Sequence, residues 1–213
     1  MTLKNMDTDV KKSSVDDVSG TNRVMIIVGI VVLITFVVVM VLMNSSGQRK
    51  AVVPSNVKKV VVEFEIKNRG KIQMVLQNDL MPRSVDIFVN NILTGIYKNR
   101  LFFRVDNYMV VAGSPTDQAG FDNGEPVSLE YNPQLTVERY CVGMGKDTKA
   151  NLSSSAIFFV AKAKESDFNG KYAVFGKIVN VDSQKIIDSL QLNDLISDAK
   201  VLTFDDKPYV NVP

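Results

Sequence analysis

The chain of 213 residues contains no histidine and one cysteine, Cys141. Neither a Ser-His-Asp nor a Cys-His nucleophile system can be assembled from it. The same absences exclude zinc sites of the usual kind within one chain and any intramolecular disulfide. Cys141 lies in the apolar run Tyr140–Gly143 and reads as a small buried hydrophobe, not as a reactive thiol. Arg104 is set between Phe103 and Val105 in the apolar run LFFRV. A solvated surface charge explains such neighbours poorly. A guanidinium is always charged and presents its donors in a planar fork, so it can act by hydrogen bonding alone.

Other candidates fall away on spacing. GMGKDT (Gly143–Thr148) fails as a phosphate loop, because the first Gly of that motif would fall at Tyr140 and Asp147 stands where Ser or Thr is needed. Asp122, Glu125, Asp205 and Asp206 fit no cation-loop signature and read as turn residues. Asn44 and Asn151 begin glycosylation triplets, which matter only in a eukaryotic secretory setting. Lys and Arg number 25 against 23 Asp and Glu, a balance that gives no reason to expect nucleic acid as a partner.

These residues need a frame, and the chain supplies one after residue 57. KVVVEFEI (Lys59–Ile66) and KIQMVLQ (Lys71–Gln77) read as a strand pair around the turn Lys67–Gly70. Pro82 opens a helix whose Val85, Phe88, Val89 and Ile92 share one face, and Gly95 follows its end. Short strands are expected at Leu101–Val105, Tyr108–Ala112, Arg139–Met144, Ala156–Lys162 and Tyr172–Val179, with a second helix at Ser183–Leu190. Two helices among many short antiparallel strands predict a mainly β fold, a barrel capped at its ends.

Upstream, Val24–Met43 is 20 residues without a charge, long enough to cross the roughly 30 Å of a bilayer core. It is longer than the apolar core of a signal peptide and lacks a small-x-small cleavage site directly after it. The expected organisation is therefore a polar, disordered tail at 1–23, a transmembrane helix at 24–43, a linker at 44–56, the barrel domain at 57–200 and a C-terminal extension at 201–213. Basic residues flank the apolar segment three against four, which leaves orientation undecided. An extracytoplasmic domain on a single-pass anchor follows only the general habit of such proteins.

Four segments, in order, resemble the cyclophilin family: Gly70–Tyr97, Phe102–Thr116 (FFRVDNYMVVAGSPT), Ala156–Lys162 (AIFFVAK) and Phe168–Val179 (FNGKYAVFGKIV). The resemblance implies a closed antiparallel β-barrel and peptidyl-prolyl cis-trans isomerase activity toward proline-containing peptide or protein clients, with no cofactor. It casts Arg104 as the catalytic residue and Phe103, Tyr108, Met109, Val111, Gly145, Phe159, Phe168 and Tyr172 as substrate-binding residues. Departures from the family pattern are Val111 in place of a Gln, Ala156-Ile157 in place of Ser-Gln, Asp167 in place of a Trp and Tyr172 in place of a His. A polar insertion is expected at Lys146–Ser155. The substitutions leave a second reading open, a catalytically silent module that binds a proline-containing segment or a membrane-complex partner. A third has the domain only displaying loops such as Gly113–Pro133 to a partner.

Overall fold

The computed structural model describes residues 28, 30–35, 52–113, 126–147 and 152–210. The expected tail at 1–23 lies outside them, as does most of the apolar segment 24–43. Within that segment Val28 and residues 30–35 are helical and exposed, and Thr35 Oγ1 donates to the Val31 and Val32 carbonyls at 3.0 and 2.9 Å. Among the described residues no helix is long and apolar enough to cross a membrane.

In chain order the domain consists of β1 (Lys59–Ile66), β2 (Gly70–Gln77), α1 (Pro82–Leu93), β3 (Arg100–Val105), β4 (Met109–Ala112), β5 (Val127–Ser128), β6 (Cys141–Asp147) and β7 (Leu152–Ala161). A 3₁₀ turn (Ser166–Phe168), β8 (Val174–Lys177), α2 (Val181–Ser189), β9 (Leu195–Phe204) and β10 (Lys207–Pro208) complete it. Strands pair in the order β1-β2-β8-β6-β7-β4-β3-β9, and β9 returns to β1, which closes an antiparallel barrel of eight strands. Closure removes the unpaired edges that an open sheet would expose.

Alternation fills the interior. Val60, Val62, Phe64 and Ile66 on β1 are buried, and Phe64 stands opposite Ile72 and Val62 opposite Met74 on β2. Five aromatic rings (Phe64, Phe88, Tyr97, Phe158 and Phe175) meet at centroid distances of 4.9 to 5.8 Å. Each such pair adds about 0.5–1.5 kcal/mol beyond its buried area. Helix α1 supplies Val85, Phe88, Val89 and Ile92 to this core, the face that the sequence spacing marks. Its cap residue Met81 has no side-chain hydrogen bond, and the Glu130 carboxylate serves instead, accepting from the Arg83 and Ser84 N–H groups at 3.2 and 2.6 Å. Helix α2 begins at Val181, two residues before the expected Ser183, because the Asn180 side chain caps it by accepting from the Ser183 N–H at 2.7 Å.

Three expectations about organisation change. Val52 and Val53, assigned to the linker, pack on the domain: Val53 is buried, and the Asp86 carboxylate accepts from the Val52 and Val53 N–H groups at 2.6 and 2.9 Å. The boundary at residue 200 falls inside β9, whose Val201 pairs with Val62, so 201–204 belong to the barrel wall and not to an extension. Asp205 and Asp206 then form a two-residue turn with φ of 45° and 64° before β10, and Asp205 accepts from the Lys58 and Lys59 N–H groups. The segment Lys146–Ser155, expected as a polar insertion, is partly strand: β6 and β7 extend into it and pair Lys146 with Ser153 and Asp147 with Leu152. Residues 148–151 lie outside the described residues. So do 114–125 of the loop Gly113–Pro133, whose Val127–Ser128 forms β5 against β7.

Candidate functional site

On β4, β6 and β7 alternate residues face inward and outward. Val110, Ala112, Val142, Met144, Phe158 and Val160 join the barrel core. Their neighbours Met109, Val111, Cys141, Ile157, Phe159 and Ala161 point away from it, yet they too are buried, forming a second apolar cluster with Val137 and Val174. Half-buried Phe103, Leu135, Phe168 and Tyr172 pack around this outer cluster. The 3₁₀ turn that carries Phe168 is tied down nearby: the Glu165 N–H reaches the Val137 carbonyl at 2.9 Å, and the Asn169 side chain accepts from the Val137 N–H at 2.8 Å. The Tyr172 ring stands edge-on to Phe159 at 5.4 Å and lies 5.1 Å from Phe168.

Register builds a row across this face. Arg104 on β3 stands opposite Val111, Val111 opposite Phe159, Phe159 opposite Gly143, and Gly143 opposite Val174. At about 4.8 Å per strand, the backbone of Arg104 is about 10 Å from that of Phe159. Two glycines make the shelf possible. A Cβ on Gly143 would come within 2.5 Å of the Phe159 ring, and one on Gly145 within 2.6 Å of Ile157 Cγ2. The rings and branches of β7 thus lie where β6 has no side chain.

Arg104 reaches the outer face through a bulge. Phe102 packs in the barrel core and Val105 against it, three positions apart, which simple alternation forbids. A register shift between Phe102 and Arg104 absorbs the extra residue, so Phe103 packs on the outer cluster and Arg104, next in sequence, is 54% exposed. Bulges of this kind re-aim a side chain. The Arg104 Nε–H donates to Asp106 Oδ2 at 2.7 Å, and Asp106 Oδ1 accepts from the Tyr108 and Met109 N–H groups, both at 2.8 Å. Burial pushes the Asp106 carboxyl up, but those two N–H groups and the guanidinium outweigh it and hold the group below the usual carboxylate range.

Of the nine residues singled out from sequence, six (Phe103, Met109, Val111, Phe159, Phe168 and Tyr172) meet in the outer cluster. Gly145 lies beside it under Ile157. Arg104 heads the row. Tyr108 is not drawn in: it is 56% exposed, at the turn between β3 and β4. Gly143, Val137, Ala161, Val174 and Asp106 were not singled out, although alternation along AIFFVAK already places Ile157, Phe159 and Ala161 on one face. Cys141 is buried in the cluster, and loss of hydration pushes its thiol up to about 12. Beside the cluster, sharing Leu135, Cys141 and Val174 with it, opens a cleft of about 270 Å³ that Gln134, Arg139 and Lys177 also line. Among the described residues no group of acidic, His or Cys side chains is arranged to hold a metal ion. The Arg104 guanidinium stands at the edge of a buried apolar cluster.

Known proteins share this arrangement of the chain. Peptidyl-prolyl cis-trans isomerase A of Dickeya dadantii is 30% identical over 153 residues, 68% of this chain and 74% of that protein. A peptidylprolyl isomerase of Schizosaccharomyces pombe is 29% identical over 136 residues, 62% of this chain but only 28% of that longer protein. The crystal structure of a Cryptosporidium parvum cyclophilin type isomerase, determined in the presence of the dipeptide Ala-Pro, superposes with a TM-score of 0.60 at 20% identity, covering 67% of this chain and 99% of that one. Residues 61–212, the barrel from its first strand onward, match the family described as cyclophilin type peptidyl-prolyl cis-trans isomerase, and the chain belongs to that family.

Proposed function

We propose that this chain accelerates cis/trans isomerisation of X-Pro bonds in peptide or protein clients, with Arg104 as the catalytic residue and the outer cluster as the seat of the proline ring. The observation that carries the reading is the row Arg104–Val111–Phe159 on an outward apolar face, in a chain of this family. Amide resonance sets a rotation barrier of about 18–20 kcal/mol. In the twisted state the prolyl nitrogen becomes pyramidal and gains a lone pair, to which a guanidinium can donate. A ring held on Phe159 and Met109 fixes the proline while the other side of the bond turns.

A second reading has a specific observation behind it. Val111, directly opposite Arg104, and Ile157 offer no polar atom to a client backbone. A module that binds proline segments without turning them over is consistent with that surface. The two readings separate in a protease-coupled isomerisation assay on the full chain beside Arg104→Ala. Acceleration that drops about 10²–10³-fold in the variant supports catalysis through Arg104. A folded wild-type chain no faster than the uncatalysed reaction supports the binding module.

We further read the domain as tethered to a membrane through Val24–Met43, on the strength of 20 uncharged residues, with the domain on the extracytoplasmic side. Full digestion of the domain by protease added outside sealed cytoplasm-side-out vesicles would overturn that orientation.

A further inference from the structure

Three donors converge on the Asp106 carboxylate. Oδ2 accepts from the Arg104 Nε–H at 2.7 Å, and Oδ1 accepts from the Tyr108 and Met109 N–H groups at 2.8 Å each. The Asp106 N–H in turn donates to the Met109 carbonyl at 3.0 Å. One side chain thus closes the turn between β3 and β4 and grips the arginine two residues before it. Across the ladder Arg104 faces Val111, whose side chain has nothing to offer a guanidinium. Among the described residues Asp106 is the only ion-pair partner of Arg104. Because the contact is made through Nε, both Nη groups are left without a protein partner among the described residues.

We infer that Asp106 is a positioning residue: it fixes the Arg104 guanidinium by its Nε–H, leaves the two Nη groups for the client, and locks that orientation to the backbone of Met109. An unrestrained arginine samples many rotamers, and only a few would place a donor at a prolyl nitrogen seated on the adjoining row. Asp106 restricts that choice before the client arrives. Its carboxyl is held below the usual carboxylate range, so the grip is charged at neutral pH. The inference rests on Arg104 being the catalytic residue, as proposed above.

Asp106→Asn in the full chain separates positioning from folding. The Asn Oδ1 can still accept from Tyr108 and Met109, while its amide group sets a donor against the Arg104 Nε–H. The expected result, from NMR exchange of a cis/trans peptide, is a kcat lower by about 10- to 100-fold, with KM within about twofold and the unfolding midpoint little changed. In the wild-type chain the Arg104 Nε–H should give a distinct, slowly exchanging signal, identified by its loss in Arg104→Lys. A wild-type kcat in Asp106→Asn, or a loss confined to KM, overturns the inference if Arg104→Ala is inactive. A rapidly exchanging Nε–H in the unaltered chain overturns it without recourse to any Asp106 variant. Full activity in Arg104→Ala would instead remove the catalytic role of Arg104 on which the inference stands.

Discussion

On β1, β2 and β9 the side chains that alternate with the core include Glu63, Glu65, Lys71, Gln73 and Lys200. On β4, β6 and β7 the corresponding outward set is Met109, Val111, Cys141, Ile157, Phe159 and Ala161. Both faces belong to one closed sheet and cover the same interior. The first is polar: buried Glu63 accepts from Gln73 at 3.0 Å and pairs with half-exposed Lys71 and Lys200 at 3.2 and 3.3 Å. The second is not required by the barrel, whose interior is already filled from the other side of the same strands. Outward apolar side chains packed beneath half-buried Phe168 and Tyr172 form a second buried cluster that the interior does not need. The difference marks this face as the place to test the proposed site.

The sharpest way to break this comparison uses two consecutive residues on β7. Phe158 points inward among Phe64, Phe88 and Tyr97, and Phe159 points outward beneath Tyr172. Phe158→Ala should lose about 3–5 kcal/mol of stability in urea unfolding followed by circular dichroism. Phe159→Ala should lose less, because Phe159 packs in the smaller outer cluster and not in the main core, while isomerisation falls steeply. Equal stability losses, with activity retained by Phe159→Ala, would mean that both faces are merely core.

Gly143→Ala tests the shelf at a smaller scale. The added Cβ would sit 2.5 Å from the Phe159 ring, so the ring must move. Overpacking of this kind costs about 1–3 kcal/mol. The expected signature is a client affinity lowered more than the stability loss alone explains, measured by titration with an Ala-Pro peptide. An unchanged affinity would show that the Phe159 position does not define the seat.

Much of this was readable from the residues, and what was not has physical causes. The strands β1 and β2 alternate cleanly, and the helix face of α1 has unbroken spacing. Strand β9 escaped because its two buried residues, Ile196 and Val201, are five apart. Two register shifts against β1, between Val61 and Val62 and between Glu65 and Ile66, break the period on which a reading depends. The outward turn of Arg104 is hidden for the same reason, since the bulge at Phe103 cancels the alternation that would send it inward. Asp106 was invisible because its part lies in three contacts made by one turn, not in a spacing. The cluster residues were legible mostly through family resemblance. Gly143 could have been found only by knowing that Phe159 lies across from it.

The smallest effect concerns the polar face alone. Burial pushes the Glu63 carboxyl up, but hydrogen bonds from Gln73, Lys71 and Lys200 and the charge of Lys200 outweigh it, and the group is held below its ordinary value. A depressed carboxyl stabilises the fold fully above its unfolded-state pKa, about 4.3, and that contribution is lost as pH falls through the lower folded value. Wild-type stability should therefore decline below about pH 4.3, and Glu63→Gln should flatten part of that decline. Asp106 and Asp205, also held low, leave the remainder. At pH 7 the substitution should cost about 1 kcal/mol or less, because Lys71 and Lys200 are half exposed and solvent screens their pull. Isomerisation at pH 7 should not change, since Glu63 lies on the opposite face from the Arg104 row. A fall in kcat for Glu63→Gln at full stability would show that the two faces are coupled through the barrel, and the division drawn between them would then fail.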